Sequence, residues 1–312
     1  MRLPVGVVGG GSFGRALARA AARNGRDVLL WSRSQADESH ERVQVIDELA
    51  ALQNAELIFL AVPSMHLEEL AFELGRHLDG RHLLVHVSRG LLGEELTTLS
   101  RMLRMRTPCR RVGALAGPLS AAALAEDVPA GAIVGTAFSE VCASVRNAIA
   151  SSSLLVYESP DVIGVEVASA MVGLLGLVVG YAKGMGVGPA PLSLVLTRGM
   201  IEGARVGGPL GAKTETFYGL SGLGDLLAAV SGDSRPEVRL GEALARTNDL
   251  NAAYAAAESH IESVSIARRV ADFAKRVGER APIAGVVANV LEGKLDGAAA
   301  IEALMAQPGG RE

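Results

Sequence analysis

The run Leu3-Pro-Val-Gly-Val-Val-Gly-Gly-Gly-Ser-Phe-Gly14 joins an apolar strand to the pattern Gly9-x-Gly11-x-x-Gly14 and leads straight into an alanine-rich helix. A chain with 37 glycines produces triplets by composition alone, so the strand before and the helix after carry the argument. In that setting Gly9 permits the tight turn, Gly11 lets the backbone approach a pyrophosphate, and Gly14 lets the helix close on the sheet. The diphosphate then lies on the free N–H groups and positive dipole end of the helix beginning near Ser12.

The next strand bears on the choice of dinucleotide. Asn24-Gly25 makes a good helix stop, and Asp27-Val-Leu-Leu-Trp31 reads as the second strand. A site for NAD places a carboxylate about 20 residues after the fingerprint to hold the ribose hydroxyls. This chain has Ser32 and Arg33 there. A guanidinium accommodates a 2′-phosphate, so the expected cofactor is NADP, with NAD allowed. A solvated loop arginine is the competing explanation.

With 312 residues, 49% of them hydrophobic and 21% charged, the chain has material for two domains with substantial cores. A net charge of −4 argues against a nucleic-acid face, while a local cationic pocket for a small anionic metabolite stays open. Cys109 and Cys142 have no metal-ligand or CxxC spacing and read as reduced thiols. Met1-Arg2 runs at once into the first strand, which leaves no room for a signal peptide and sets a cytoplasmic expectation. The apolar stretch from Val167 to Ala182 would span only about 24 Å as a helix, so a buried helix is expected rather than a membrane span.

From residue 1 to 158 apolar runs alternate with amphipathic segments: 57–62, 82–88, 111–116, 130–134 and 154–157. That is the signature of an α/β domain built on a doubly wound parallel sheet of Rossmann type. Ala61-Val-Pro-Ser64, Ser88-Arg89-Gly90 and Gly117-Pro118 would follow strands at the carboxyl edge, where ligands gather. From 159 to 312 long helical patterns take over, at 161–184, 190–206, 236–246, 258–277 and 296–306, giving an all-α second domain. Among the six histidines, His66 and His86 lie near strand ends. His86 is equally well an in-or-out residue of its strand and His66 a helix-surface group.

These residues resemble the bacterial-type NAD(P)-dependent glycerol-3-phosphate dehydrogenases over nearly the whole chain. The resemblance is carried by Gly9–Gly14 with Leu30-Trp-Ser-Arg33, Ala61–Ser64, Gly117-Pro118 with Ala121, Pro160–Glu166, and Thr197-Arg-Gly199 with Gly219-Leu-Ser-Gly-Leu-Gly-Asp225. It implies a Rossmann domain followed by a helical one, a cytoplasmic homodimer, and reversible reduction of dihydroxyacetone phosphate, a phosphate ester, to glycerol 3-phosphate. By that likeness Gly9, Gly11, Ser12, Phe13, Gly14, Arg33, Ala121 and Glu262 match cofactor contacts, while Gly117, Asp225, Ser234 and Arg235 match the substrate pocket. Arg235 is the phosphate candidate, because a planar guanidinium grips two oxygens at once. A surface loop arginine, and for Asp225 a helix N-cap, are the plainer alternatives.

The departures from the family pattern fall on its chemistry. The family's proton-donating lysine and following asparagine correspond to Val172 and Gly173. A second lysine corresponds to Arg89, a threonine to Ala229, an asparagine to Pro236 and a serine to Leu119, unless Ser120 takes over that contact. Hydride delivery to a ketone leaves charge on oxygen that a proton or fixed donor must meet, and a valine methyl offers neither. Lys183 is eleven residues beyond Val172, about 16 Å along the same helix. Arg89 and Asp225 therefore remain as the candidate catalytic groups. Arg89 can stabilise an oxyanion but is a poor proton donor. The expectation is an oxidoreductase of this family with weak or absent turnover of dihydroxyacetone phosphate. The alternatives are a non-catalytic NADP(H)-binding regulator or scaffold, and an oxidoreductase for another small ketone or imine.

Overall fold

The computed structural model describes residues 3–33, 40–232, 235–257 and 261–306. Two compact units make up the chain: Met1–Gly90 with Thr97–Glu166, and Leu91–Leu96 with Val167–Glu312.

The strands are β1 (Val5–Val8), β2 (Val28–Trp31), β3 (Val43–Ile46), β4 (Leu57–Leu60), β5 (Leu83–His86), β6 (Leu91–Leu92), β7 (Thr97–Thr98), β8 (Val112–Ala116), β9 (Ala130–Thr136) and β10 (Leu154–Ser159). Eight of them form the sheet of the first unit in the order β10-β9-β8-β5-β4-β1-β2-β3. Its helices are α1 (Ser12–Arg23), α2 (Ser64–Gly75), α3 (Leu99–Arg106), α4 (Ala121–Glu126) and α5 (Ser139–Ile149). Every residue of β1, β4 and β5 is buried, as a parallel sheet covered on both faces requires. The alanines and Leu17 of α1 join Val5, Val7, Phe59 and Val85 of the sheet, and Val141 and Val145 of α5, in one apolar cluster.

The expected parallel sheet holds with one exception: β9 runs antiparallel to β8, and β10 is parallel to β9. Helix lengths explain it. The six residues of α4 rise only about 9 Å, too little to carry the chain back past the five-residue β8, so β9 starts at the edge where β8 ended. The eleven residues of α5 do make the return. The short strand β3 went unread in the sequence because Gln44 interrupts a four-residue segment.

The second unit contains α6 (Val162–Gly184) from Val167 onward, α7 (Pro189–Gly207), α8 (Thr214–Phe217), α9 (Asp225–Ser231), α10 (Pro236–Thr247), α11 (Leu250–Ala257), α12 (Ser263–Arg276), α13 (Pro282–Leu291) and α14 (Gly297–Met305). The sequence pattern showed no sign of α8, α11 or α13, α9 is the helix expected after Gly224, and the helix expected over 258–277 begins at Ser263; residues 258–260 lie outside the described set. The division between units falls after Glu166, inside α6, rather than at 158/159. The first turn of α6 is tied to the sheet unit: the Gly164 N–H donates to Asp161 Oδ1 at 2.9 Å, and Glu166 accepts from His86 and Ser100.

Helix α6 runs 23 residues, matching the helix expected over 161–184 and longer than its uncharged apolar stretch from Val167 to Ala182, and by length and composition alone it is long enough to cross a bilayer. Its apolar window is 83% buried inside the protein, which marks a core helix. Small residues let its neighbours approach closely. A Cβ on Gly180 would overlap the Val238 carbonyl oxygen of α10, and one on Gly241 would overlap the Leu177 carbonyl oxygen of α6.

Glu202 on α7 is buried and its two oxygens accept the N–H groups of Ile283, at 2.9 Å, and Ala284, at 2.8 Å, so it caps α13. Burial raises its pKa from 4.5 to about 7, outweighing those two donors and the attraction of Arg205 and Arg198. The folded chain thus holds a proton that the unfolded chain releases, and this contribution to stability is lost as pH climbs from 4.5 through about 7.

Two outcomes follow for thermal unfolding. Gly180→Ala should cost about 1–3 kcal/mol by overpacking, a fall of roughly 2–12 °C in the midpoint; Gly285→Ala, where a Cβ meets nothing within 4 Å, should cause no fall. Across a pH series spanning 4.5 to 7 the wild-type midpoint should decline, and Glu202→Gln should flatten that decline.

Candidate functional site

In the first unit β1, β2, β4, β5 and β8 run parallel, so the residues after their last positions share one edge of the sheet. The order of strands reverses between β1 and β4, and the crevice outside the carboxyl ends at such a point is where α/β sheets take ligands. That edge collects Gly9 to Gly14 after β1, Arg33 after β2, Ala61 after β4, Arg89 after β5, and Gly117 with Ala121 after β8.

The three fingerprint glycines differ in what demands them. Gly9 has φ +122°, and a Cβ there would overlap the Ala61 carbonyl oxygen. At Gly14 a Cβ would overlap the Gly9 carbonyl oxygen and meet the Ala61 Cβ at 3.3 Å. Both are required by the fold itself. At Gly11, by contrast, a Cβ meets no protein atom within 4 Å. Gly11 is the N-cap of α1, no side chain caps the helix there, and the Ser12 side that follows is exposed. The space over the helix start fits a dinucleotide's diphosphate, drawn to N–H groups that no side chain caps among the described residues.

Arg33 is exposed just past β2, Phe13 is half-buried, and Ala121 opens α4. Gly117 has φ +110°, and a Cβ there would press on Ala132 and Gly131 at 3.3 Å. Leu119 is buried, and the Ser120 hydroxyl caps α4 by accepting from the Ala123 N–H at 3.0 Å. Arg89 is half-buried, and the neighbouring Ser88 hydroxyl donates to the Val62 carbonyl at 2.6 Å.

His86 is fully buried rather than half-facing solvent, with Nε2 at 3.0 Å from Glu166 Oε1. The Ser100 N–H donates to the same oxygen at 2.8 Å, and the Ser100 hydroxyl donates to Oε2. One carboxylate therefore holds both ends of the segment from His86 to Ser100 that carries Arg89. In the sequence Glu166 closes the Pro160–Glu166 segment of the family resemblance, with no role of its own assigned. A single acid at the head of an apolar run was the available signal. His66 is half-buried in the first turn of α2. Both cysteines are buried and free, and burial pushes each thiol up to about 11, which leaves them inert at neutral pH.

In the second unit Asp225 and Arg235 come together. Arg235 Nη2 donates to Asp225 Oδ1 at 2.6 Å, with the aspartate fully buried and the arginine side chain 13% exposed. Asp225 is the first residue of α9 rather than its N-cap, and Arg235 is the N-cap of α10 ahead of Pro236. The turn Leu220–Gly224 before Asp225 is a tight π-type winding, in which a Cβ on Gly222 would overlap the Phe217 carbonyl. That packing requires the glycine at 222, whereas a Cβ at Gly219 or Gly224 would meet only ordinary contacts. Arg235 Nη1 is buried and has no hydrogen-bond partner among the described residues. Ser234 lies outside the described residues. Val172 is 1% exposed in the body of α6, Ala229 is buried in α9, and Glu262 stands at the N-cap of α12, its carbonyl accepting from Ser265.

A dinucleotide-type sheet unit followed by a helical unit defines the class as NAD(P)-linked oxidoreductases. A model of the NAD-dependent glycerol-3-phosphate dehydrogenase C-terminus matches residues 161–302, and one described as NADP oxidoreductase, coenzyme F420-dependent, matches residues 4–90. A glycerol-3-phosphate dehydrogenase [NAD(P)+] of Synechococcus elongatus is 33% identical over 302 residues, 96% of this chain and 95% of its own. One from Azotobacter vinelandii is 32% identical, covering 97% and 94%. The crystal structure of glycerol-3-phosphate dehydrogenase from Coxiella burnetii superposes with a TM-score of 0.91 at 25% identity, over 98% of this chain and 99% of that one. The chain belongs to the NAD(P)-dependent glycerol-3-phosphate dehydrogenase family.

The contrast among glycines is directly measurable. Gly11→Ala should cost the free protein no more than the difference between glycine and alanine at an N-cap, about 1 kcal/mol, and weaken dinucleotide-dependent stabilisation. Gly9→Ala should lower the melting temperature by more, before any ligand is added. A Gly11→Ala protein destabilised as much as Gly9→Ala would mean the glycine serves packing.

Proposed function

We propose that the chain binds NADP(H), with NAD(H) as a weaker ligand, and reduces a small phosphorylated ketone, turning over dihydroxyacetone phosphate far more slowly than relatives that carry the family lysine. The observation that carries this reading is Arg235. One guanidinium nitrogen is fixed on Asp225 and the other, Nη1, is buried with no hydrogen-bond partner among the described residues, a donor suited to a phosphate oxygen. Asp225 orients that arginine, and Arg89 supplies a fixed positive charge at the sheet edge. Gly117 and Ser234 are the further substrate contacts, and Ala121 and Glu262 the further cofactor contacts.

The bound dinucleotide supplies hydride at its nicotinamide ring. What this chain lacks is a proton donor at Val172, a fully buried aliphatic side chain where the resemblance places the general acid. Loss of a general acid lowers rate by about 10² to 10⁴. The same valine favours the second reading, a nucleotide-binding protein whose chemistry has been dismantled. A homodimer in the cytoplasm is the expected state in either case.

The experiment mixes purified protein, NADPH and dihydroxyacetone phosphate and follows nicotinamide absorbance. The rate should fall at least 10²-fold below that of a lysine-bearing relative, and the double change Val172→Lys with Gly173→Asn should raise it. A wild-type rate equal to the relative's would contradict the proposal. NADPH binding without turnover of any small ketone in either protein would favour the non-catalytic reading. For the cofactor, Arg33→Ala should weaken NADPH more than NADH; equal effects would remove the 2′-phosphate assignment.

A further inference from the structure

Among the described residues, the three large apolar side chains most exposed to solvent are Met105, Met65 and Phe72, at 69%, 60% and 59%. All three stand on α2 and α3, neighbouring helices of the sheet unit. Leu67, Leu70, Ala71 and Leu74 of α2, with Met102 and Leu103 of α3, are buried, so the exposed three form a second apolar surface beyond the one that packs the core. Met65 and Phe72 are seven residues apart, two turns, and share one side of α2.

Charge divides across the same surface. Helix α2 exposes Glu68, Glu69 and Glu73, and α3 exposes Arg101 and Arg106. Arg106 Nε donates to Glu68 Oε1 at 2.9 Å and ties the two helices side by side. Glu69, Glu73 and Arg101 make no ion pair among the described residues. The helices also match in level. They lead into the parallel strands β5 and β8, and a Cβ on Gly75 would meet the Arg106 carbonyl oxygen at 2.8 Å, so their last turns lie together. Counted back from that meeting at about 1.5 Å per residue, Glu69 is level with Arg101 to within one residue and Phe72 with Met105 to within two.

A second copy, rotated by half a turn about an axis running along and between these helices, lays its α3 over this α2 and its α2 over this α3. Glu69 then faces the partner's Arg101, Phe72 faces the partner's Met105, and symmetry makes each contact twice. An acidic helix beside a basic one, with apolar side chains on both, is complementary to itself, as an isologous contact requires.

We propose that the α2–α3 face joins two copies of this chain; this rests on the homodimer reading above and names its surface. Two adjacent helices present an area about 18 Å long and about 20 Å across. A contact of that size belongs to the small, transient class, so the dimer dissociates on dilution.

Sedimentation velocity of the full chain over a range of concentrations tests it. The wild-type protein should shift from monomer to dimer as concentration rises. Glu69→Arg alone, or Arg101→Glu alone, should weaken association by about ten-fold or more, because each homodimer then carries two like-charge contacts. The melting temperature should hold, since both side chains are exposed. An equal mixture of the two variants should associate as the wild type does, because both contacts of the mixed dimer again pair opposite charges. Weakened variants that do not recover on mixing would overturn the proposal. A dimer that neither change weakens would overturn it too, while leaving the homodimer reading in place with another surface. Wild-type monomers at every concentration would overturn both.

Discussion

The first unit depends on a backbone-to-backbone approach that admits no side chain. Gly9 and Gly14 bring the end of β1, the start of α1 and the Ala61 carbonyl after β4 so close that a single methyl at either glycine has nowhere to go. That closure seats the helix start at the edge where the strand order reverses. Gly11 is left as the one fingerprint glycine facing open space. The protein's own packing accounts for Gly9 and Gly14, whereas a Cβ at Gly11 would meet nothing within 4 Å, which leaves room there for a ligand's phosphate.

The second unit uses the same small-residue device for another end. Gly180 and Gly241 let α6 and α10 touch through their backbones, and the long apolar α6 becomes the buried axis of the helical unit. Two buried carboxyl groups in this apolar setting have partners: Glu202, proton-bearing below about pH 7, on the amides of α13, and Asp225 on Arg235. A buried carboxylate fixed on a guanidinium is costly to break from one side only, which gives the arginine a single orientation. Holding a guanidinium nitrogen buried without a partner costs free energy in the absence of an anion, and binding an anion relieves that cost.

Much of the sheet unit was legible because its signals are local. Apolar runs bounded by Pro63 or Gly117, and a fingerprint set between strand and helix, need no tertiary information. The reversal of β9 was not, since it follows from the length of α4, a six-residue helix that alanine periodicity does not delimit. The division between units falls inside α6, where Glu166 is bonded to His86 and Ser100 from distant parts of the chain. Helices α8 and α11, of four and eight residues, were too short to show a period, and the pairing of Asp225 with Arg235 joins two residues that looked separately like a helix cap and a loop cation. That a valine stands at 172 is a plain fact of sequence; its correspondence to the family's lysine is what the resemblance implies and what the proposed assay tests.

The central claim is that a dinucleotide's diphosphate rests on the uncapped amides opening α1. Amide resonances followed during titration with NADPH test it most directly. The account predicts that the largest shifts fall on Gly11, Ser12 and Phe13 and saturate together. Saturable shifts centred elsewhere in the chain, with these three amides unmoved, would contradict it.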